Sequence, residues 1–162
     1  METIILEKTK ELKINKKKIE EKLGVKITIQ GRKVTFEGDP MNEYEASIIL
    51  DALGLGFTAE KALLLTDADI QFKKVNIKSF TRRKKIKDVR ARVIGREGKT
   101  KRTMETIGNC DIVINGNTVG IIGPVASIDE AVTALTNLIR GSKEANVYNF
   151  MERMNTEKKK YR

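Results

Sequence analysis

Val93-Ile94-Gly95-Arg96-Glu97-Gly98-Lys99-Thr100 places two glycines three residues apart between two stretches of helical character. Upstream, Ile86, Val89 and Val93 recur at i, i+3 and i+7, which puts one apolar face on an otherwise basic helix. The glycines therefore end one helix and open the next. Glycine suits such a corner because it takes positive φ at no steric cost, and because a bare backbone lets a ligand come close. The corner feeds a helix N-terminus, where free N–H groups and the positive end of the dipole favour a phosphate. Arg96, Lys99, Lys101 and Arg102 add mobile positive charge around it.

Working outward, Ile112 and Ile114 alternate as in a strand, and Asn115-Gly116-Asn117 carries the Asn-Gly pair of a two-residue hairpin. Val119 and Ile121 mark the returning strand. Ile128, Ala131, Val132, Leu135, Leu138 and Ile139 then form a helical stripe. Before the corner, Gln71 to Phe80 reads as a strand with Phe72, Val75 and Ile77 among lysines. The order is strand, helix, helix, strand, strand, helix.

The same pattern occurs earlier in the chain, offset by 85 residues without a gap. Ile27 and Ile29 align with Ile112 and Ile114, Gly31 with Gly116, Val34 with Val119, and Gly38 with Gly123. Asn42 with Glu45, and Ser127 with Glu130, have the spacing of capping boxes. Two copies of one unit are expected, and the first is degenerate. Lys10-Glu11-Leu12-Lys13 stands where the second copy has its glycine pair, and the stretch between the strand Glu2 to Leu6 and a helix near Asn15 to Lys22 is too short for a full first helix. That copy reads as a packing or protein-facing platform, with Lys16, Lys17 and Lys18 touching phosphate nonspecifically at most.

The net charge of +10 is concentrated. Residues 81–102 hold eleven Lys and Arg against Asp88 and Glu97, a field that attracts a polyanion, nucleic acid above all. One cysteine, Cys110, and no histidine remove disulfide frameworks, His-based triads and a zinc site, and point to a reducing, cytoplasmic setting. The N-terminal residues read as no secretory signal, and no apolar run approaches the roughly 20 residues that cross a bilayer. Neither an enzyme nor a cofactor is expected: the carboxylates are scattered, and no nucleophile has an evident base. Gly98-Lys99-Thr100 matches the tail of a nucleotide-binding P-loop, but that motif needs glycine where Val93 stands.

Ile-Gly-x-x-Gly between two helices, in register with the βααββα order, resembles the KH domain, whose loop clamps a single-stranded backbone. Arg92 to Arg102, Ser79-Phe80-Thr81-Arg82, Val119-Gly120-Ile121-Ile122-Gly123, Gly141-Ser142 and Val147 to Arg153 resemble the archaeal partner-of-Nob proteins and the related Krr-type ribosome-assembly factors. The resemblance implies an α+β protein of two tandem type I KH-like units packed side by side, with a C-terminal helix. The expected divisions are 1–56, a unit without the glycine loop; 57–70, a helical linker; 71–142, the unit with it; and 143–162, a helix and basic tail. It also implies binding to the 3′ end of small-subunit ribosomal RNA during ribosome biogenesis, beside the Nob endonuclease, and a link to the alpha subunit of initiation factor two.

The candidate RNA contacts are Arg92, Ile94, Gly95, Arg96, Glu97, Gly98, Lys99, Lys101, Arg102, Ile112, Val113 and Ile114. Auxiliary charge comes from Arg82, Arg83, Lys84 and Lys85. Bases are expected across a floor of Ile94 and the strand 112–114, with strand N–H and C=O groups reading their edges; part of that floor is also core packing. An alternative is a protein-docking adaptor with weak, nonspecific RNA binding, which does not need both glycines and their basic flanks.

Overall fold

The structure is a computed structural model that describes residues 1–160; Tyr161 and Arg162, read above as the end of a basic tail, lie outside the described residues. The chain divides into two compact units, Met1–Phe72 and Lys73–Arg162. No helix among the described residues is long and apolar enough to cross a membrane.

Unit 1 runs β1 (Glu2–Ile5), α1 (Lys10–Leu23), β2 (Val25–Gln30), β3 (Lys33–Gly38), α2 (Pro40–Leu55) and the short α3 (Ala59–Ala62), which continues into a 3-10 turn at Leu63–Thr66. Its antiparallel sheet has the order β1-β3-β2. The inward faces of these elements bury Leu12, Ile19, Ile27, Val34, Phe36, Ile49, Leu50 and Leu53. Segment 57–70, expected as a linker, carries α3, which packs on α1 and α2. There the Glu11 carboxylate accepts the Ala59 N–H at 2.8 Å.

The second unit uses β4 (Ile70–Asn76), a 3-10 turn at Ile77–Ser79, α4 (Ile86–Ile94), α5 (Lys99–Gly108), β5 (Asp111–Asn115), β6 (Thr118–Pro124), α6 (Ile128–Arg140) and α7 (Glu144–Lys160). The sheet order, β4-β6-β5, repeats that of unit 1. Val89, Val93, Met104, Ile112, Val119, Ile121, Leu135 and Leu138 form its core. Val147 and Met151 of α7 join that core, and Asn155 donates to the Ile107 carbonyl at 2.8 Å. Helix α7 thus docks on its own unit. Lys158, within the segment expected as a helix and basic tail, is helical and bridges Glu130 at 2.8 Å. Cys110 is buried, which pushes its thiol up to about 12, with Glu105 and Asp111 adding to the effect.

The 85-residue register holds in three dimensions. Ile27 faces Phe36 as Ile112 faces Ile121, and Ile29 faces Val34 as Ile114 faces Val119. Both hairpins turn on a glycine with positive φ, Gly31 at 62° and Gly116 at 58°. Two expectations need correction. The capping boxes do not form: Pro40 sits at the first position of α2, which its fixed φ favours, so the N-cap is Asp39 and Asn42 lies inside the helix. Ser127 stands at the N-cap of α6 without a side-chain bond. Furthermore, α1 starts at Lys10, earlier than expected, and is interrupted at Asn15, whose φ of −108° and ψ of 17° are non-helical; the helix expected from near Asn15 to Lys22 is its second segment.

Candidate nucleic-acid interface

The chain leaves α4 at Gly95, whose N–H bonds the Ala91 carbonyl at 2.8 Å and whose φ of 76° and ψ of 172° belong to glycine alone. Glu97 at φ 55° and Gly98 at φ 75° keep the backbone left-handed until α5 begins at Lys99. Glu97 and Asn109 are the non-glycine residues with positive φ among the described residues. The corner thus needs three unusual conformations within four positions.

The two glycines serve different ends. A Cβ on Gly95 would lie 2.6 Å from the Thr100 nitrogen and closer still to its hydroxyl. Thr100 is only 2% exposed, and its hydroxyl donates to Glu144 at 3.0 Å. Gly95 therefore lets the corner close on the start of α5. A Cβ on Gly98 would meet nothing within 4 Å. Its side of the loop is open, as close approach by a backbone-sized ligand requires.

Around this corner Arg96, Glu97, Lys99 and Arg102 are exposed. Lys101 is half-buried and reaches Glu105 at 3.3 Å. Arg92 departs from its expected role: its guanidinium donates to the Ser142 carbonyl at 2.9 Å and holds the entry to α7. Ile94 is half-buried at the end of α4.

The strand wall also differs from the expectation. β5 is an edge strand with β6 on one side. The Ile112 N–H points away from β6 and donates to the Glu105 carboxylate at 2.9 Å. Strand alternation then sends the main-chain groups of Ile114 outward as well, while Val113, opposite Gly120, turns its own into the ladder. Val113 consequently has no free backbone edge for a base, and the Ile112 donor is already taken. Ile112 is core at 2% exposure, whereas Val113 and Ile114 are half-buried. Glu105 went unnoticed in the sequence because a glutamate on a basic amphipathic helix looks like a solvated charge.

Arg82, Arg83, Lys84 and Lys85 are all exposed, on the irregular segment before α4. Arg82 and Arg83 line an open cavity of about 580 Å³ with Ser79, Phe80, Thr81 and Arg140; no residue of the 95–98 loop lines it. The Arg140 guanidinium stands 5.2 Å from the Phe80 ring centre. No cluster of His, Cys, Asp and Glu among the described residues could hold a metal ion.

Residues 71–156 match the model of the second KH domain of PNO1, described as a eukaryotic type KH-domain, type I. A KH domain-containing protein of Methanocaldococcus jannaschii is 35% identical over 145 residues, which cover 85% of this chain and 64% of that protein. The pre-rRNA-processing protein pno1 of Aspergillus fumigatus is 29% identical over 78% of this chain and 54% of its own length. The chain thus spans less than two thirds of these curated relatives. Among solved structures, Dim2p from Pyrococcus horikoshii OT3 superposes with a TM-score of 0.84 at 30% identity, covering 94% of this chain and 98% of that one. Dim2p in a complex of a/eIF2alpha, aDim2p and rRNA from the same organism also gives 0.84, at 29% identity over 96% and 94%. With the glycine corner, the strand order and these matches in agreement, the chain belongs to the PNO1-type KH-domain family, type I.

Proposed function

We propose that this protein binds single-stranded RNA through its second unit, and that the strand it grips is the 3′ end of small-subunit ribosomal RNA during ribosome biogenesis. The observation that carries this reading is the Gly95–Gly98 corner: open on the Gly98 side, flanked by the exposed cations Arg96, Lys99 and Arg102, and built into a type I KH unit. The phosphates would lie against Gly98 and the start of α5. Bases would pass between the corner and the edge of β5, over Ile94 and Ile114.

The relatives support the ribosomal reading. One is named a pre-rRNA-processing protein, and a solved neighbour is a complex with rRNA and a/eIF2alpha. The proposed partners are accordingly the alpha subunit of initiation factor two and the Nob endonuclease, with the cytoplasm as the compartment. The domain divisions given by sequence are carried in the same proposal with one change: α7 goes with the second unit.

The test is fluorescence anisotropy with short single-stranded RNAs, including the 3′ terminus of small-subunit ribosomal RNA, on the wild type and on the double variant Arg96→Asp, Glu97→Asp. Both glycines and the core are untouched. Binding is expected to fall tenfold or more, about 1.4 kcal/mol. For about four phosphate contacts the wild-type log affinity should fall with log salt at a slope near −3, at about −0.7 per contact. Unchanged binding by a folded variant would transfer the affinity elsewhere and favour a docking adaptor.

A further inference from the structure

Arg90 stands on the face of α4 that runs back from the glycine corner toward the β5–β6 hairpin. Val89 and Val93 turn the other side of that helix into the core. Arg90 and Ile94, four residues apart, are neighbours on one face, with the small, exposed Ala91 beside them. Both are half-buried. At 1.5 Å per residue, Arg90 lies about 7.5 Å along the helix axis from Gly95. Its guanidinium donates to the Gly116 carbonyl at 3.3 Å. Gly116 is the turn of the hairpin, two residues after Ile114. The helix wall and the strand wall of the groove therefore meet at this side chain.

The hairpin has a firmer anchor. The Ile77 N–H donates to the Asn117 carbonyl at 2.8 Å, just as the Leu6 N–H of unit 1 donates to the Arg32 carbonyl at 2.9 Å. Unit 1 also repeats the carboxylate on the outer strand: Glu20 bonds the Ile27 N–H at 2.8 Å, as Glu105 bonds that of Ile112 at 2.9 Å. It does so with one helix between β1 and β2, and so has no counterpart of Arg90. The Arg90 bond is long and exposed, and it occupies one of five guanidinium donors. Arg90 makes no other bond among the described residues.

A strand gripped at the corner sends its bases back along this face. What meets them is a planar fork of N–H groups with no acceptor. Such a fork makes two bonds at once only to a base edge that carries two adjacent acceptors. Guanine offers O6 and N7, and cytosine offers O2 and N3. Adenine and uracil interpose a donor on those edges: the adenine N6–H lies beside N1 and N7, and the uracil N3–H lies between O2 and O4. We infer that Arg90 reads a base in the RNA groove and selects one with paired acceptors, cytosine or guanine, over adenine and uracil. The inference rests on the RNA-binding reading of unit 2 and gives that grip a choice of sequence. Arg96, Lys99 and Arg102 supply affinity; Arg90 supplies discrimination.

The experiment is fluorescence anisotropy on the full chain with RNAs of about eight nucleotides, longer than the four that a KH loop clamps. The probes are oligo(C), oligo(U), oligo(A), and oligo(U) with one guanosine placed at each position in turn. The proteins are the wild type, Arg90→Gln, Arg90→Lys and the loop variant above. The wild type should prefer oligo(C), or the guanosine-bearing strand in one register, over oligo(U) and oligo(A) by about tenfold, and the arm that shows it names the base. In Arg90→Gln the preference should shrink below about threefold, with oligo(U) affinity changed by less than about twofold. Arg90→Lys keeps the charge without the fork, so it should lose the preference at an unchanged salt slope. A wild type without the preference, or a folded variant that retains it, overturns the inference. So does an equal loss on every probe, which is what a residue that merely holds the hairpin would give. If the loop variant weakens all probes while Arg90→Gln keeps the preference, this inference falls and the clamp stands. If the loop variant binds as the wild type does while Arg90→Gln loses the preference, the base reader stands and the clamp falls. A wild type that binds none of the probes ends both. Should Arg90→Gln fail to fold, Arg90→Lys carries the same decision.

Discussion

The two units share a hairpin register, a glutamate that bonds the outer strand, and left-handed caps at Gly24 and Asn109 after the preceding helix. They differ over four residues. Lys10-Glu11-Leu12-Lys13 continues as helix, whereas Gly95-Arg96-Glu97-Gly98 breaks it with three left-handed conformations. The shared sheet and core therefore do not need the corner. It is an addition that costs backbone strain, and only the open side at Gly98 gives that strain a use. In unit 1 the trace of the break is Asn15, whose side-chain amide donates to the Glu11 carbonyl at 2.9 Å and stands in for a disturbed helical bond.

The largest expected effect comes from attacking what unit 2 alone possesses. Gly95→Ala adds a methyl against Thr100 and forces alanine into a region reserved for glycine. A loss of about 3 kcal/mol or more is expected from clash and strain together, read by urea unfolding of the second unit. A cost under 1 kcal/mol would mean the corner relaxes freely and that its geometry is not held by Thr100.

Glu20→Ala and Glu105→Ala sharpen what is common. Each frees one strand N–H, and each should cost about 1.5 to 2 kcal/mol, the worth of a hydrogen bond to a charged group. Faster amide exchange at Ile27 and at Ile112, respectively, would localise the effect. Markedly unequal costs would show that the two carboxylates have parted roles.

A smaller contrast sets one glycine against another. Gly98→Ala should fold and cost about 1 kcal/mol for a left-handed alanine, while Lys13→Gly in the helical segment of α1 before its kink should cost a similar amount, about 1 kcal/mol, for the opposite reason. Thermal melts of both variants decide it. The least effect is a gain: Glu97→Asn puts a residue tolerant of left-handed backbone at φ 55° and should stabilise by about 0.5 kcal/mol.

Much of this architecture was legible because it is written in periods. Ile27, Ile29, Ile112 and Ile114 alternate, the Gly31 and Gly116 turns fix each register, and the glycine pair marks the corner. What escaped was whatever depends on a neighbour distant in sequence. The bond of Arg92 to Ser142 and that of Thr100 to Glu144 join residues 50 and 44 positions apart. The start of α1 was hidden because Lys10 to Lys13 offers one apolar residue, Leu12, and no stripe. The cap of α2 was misassigned because Asn42 has the right chemistry, whereas proline geometry at Pro40 sets the start of that helix; Ser127 does cap α6, only without its side-chain bond.

The bonds that tie the loop to α7 also bear on where the chain can be cut. Arg92 and Thr100 find their acceptors at Ser142 and Glu144, and Asn155 closes on Ile107 farther along the same helix. A recombinant fragment ended at residue 142 would keep every strand and both glycines of the second unit. It would nevertheless strip Val147 and Met151 from the core and leave the Thr100 hydroxyl behind Gly95 without its partner. The smallest faithful piece for crystallisation or titration runs past Asn155.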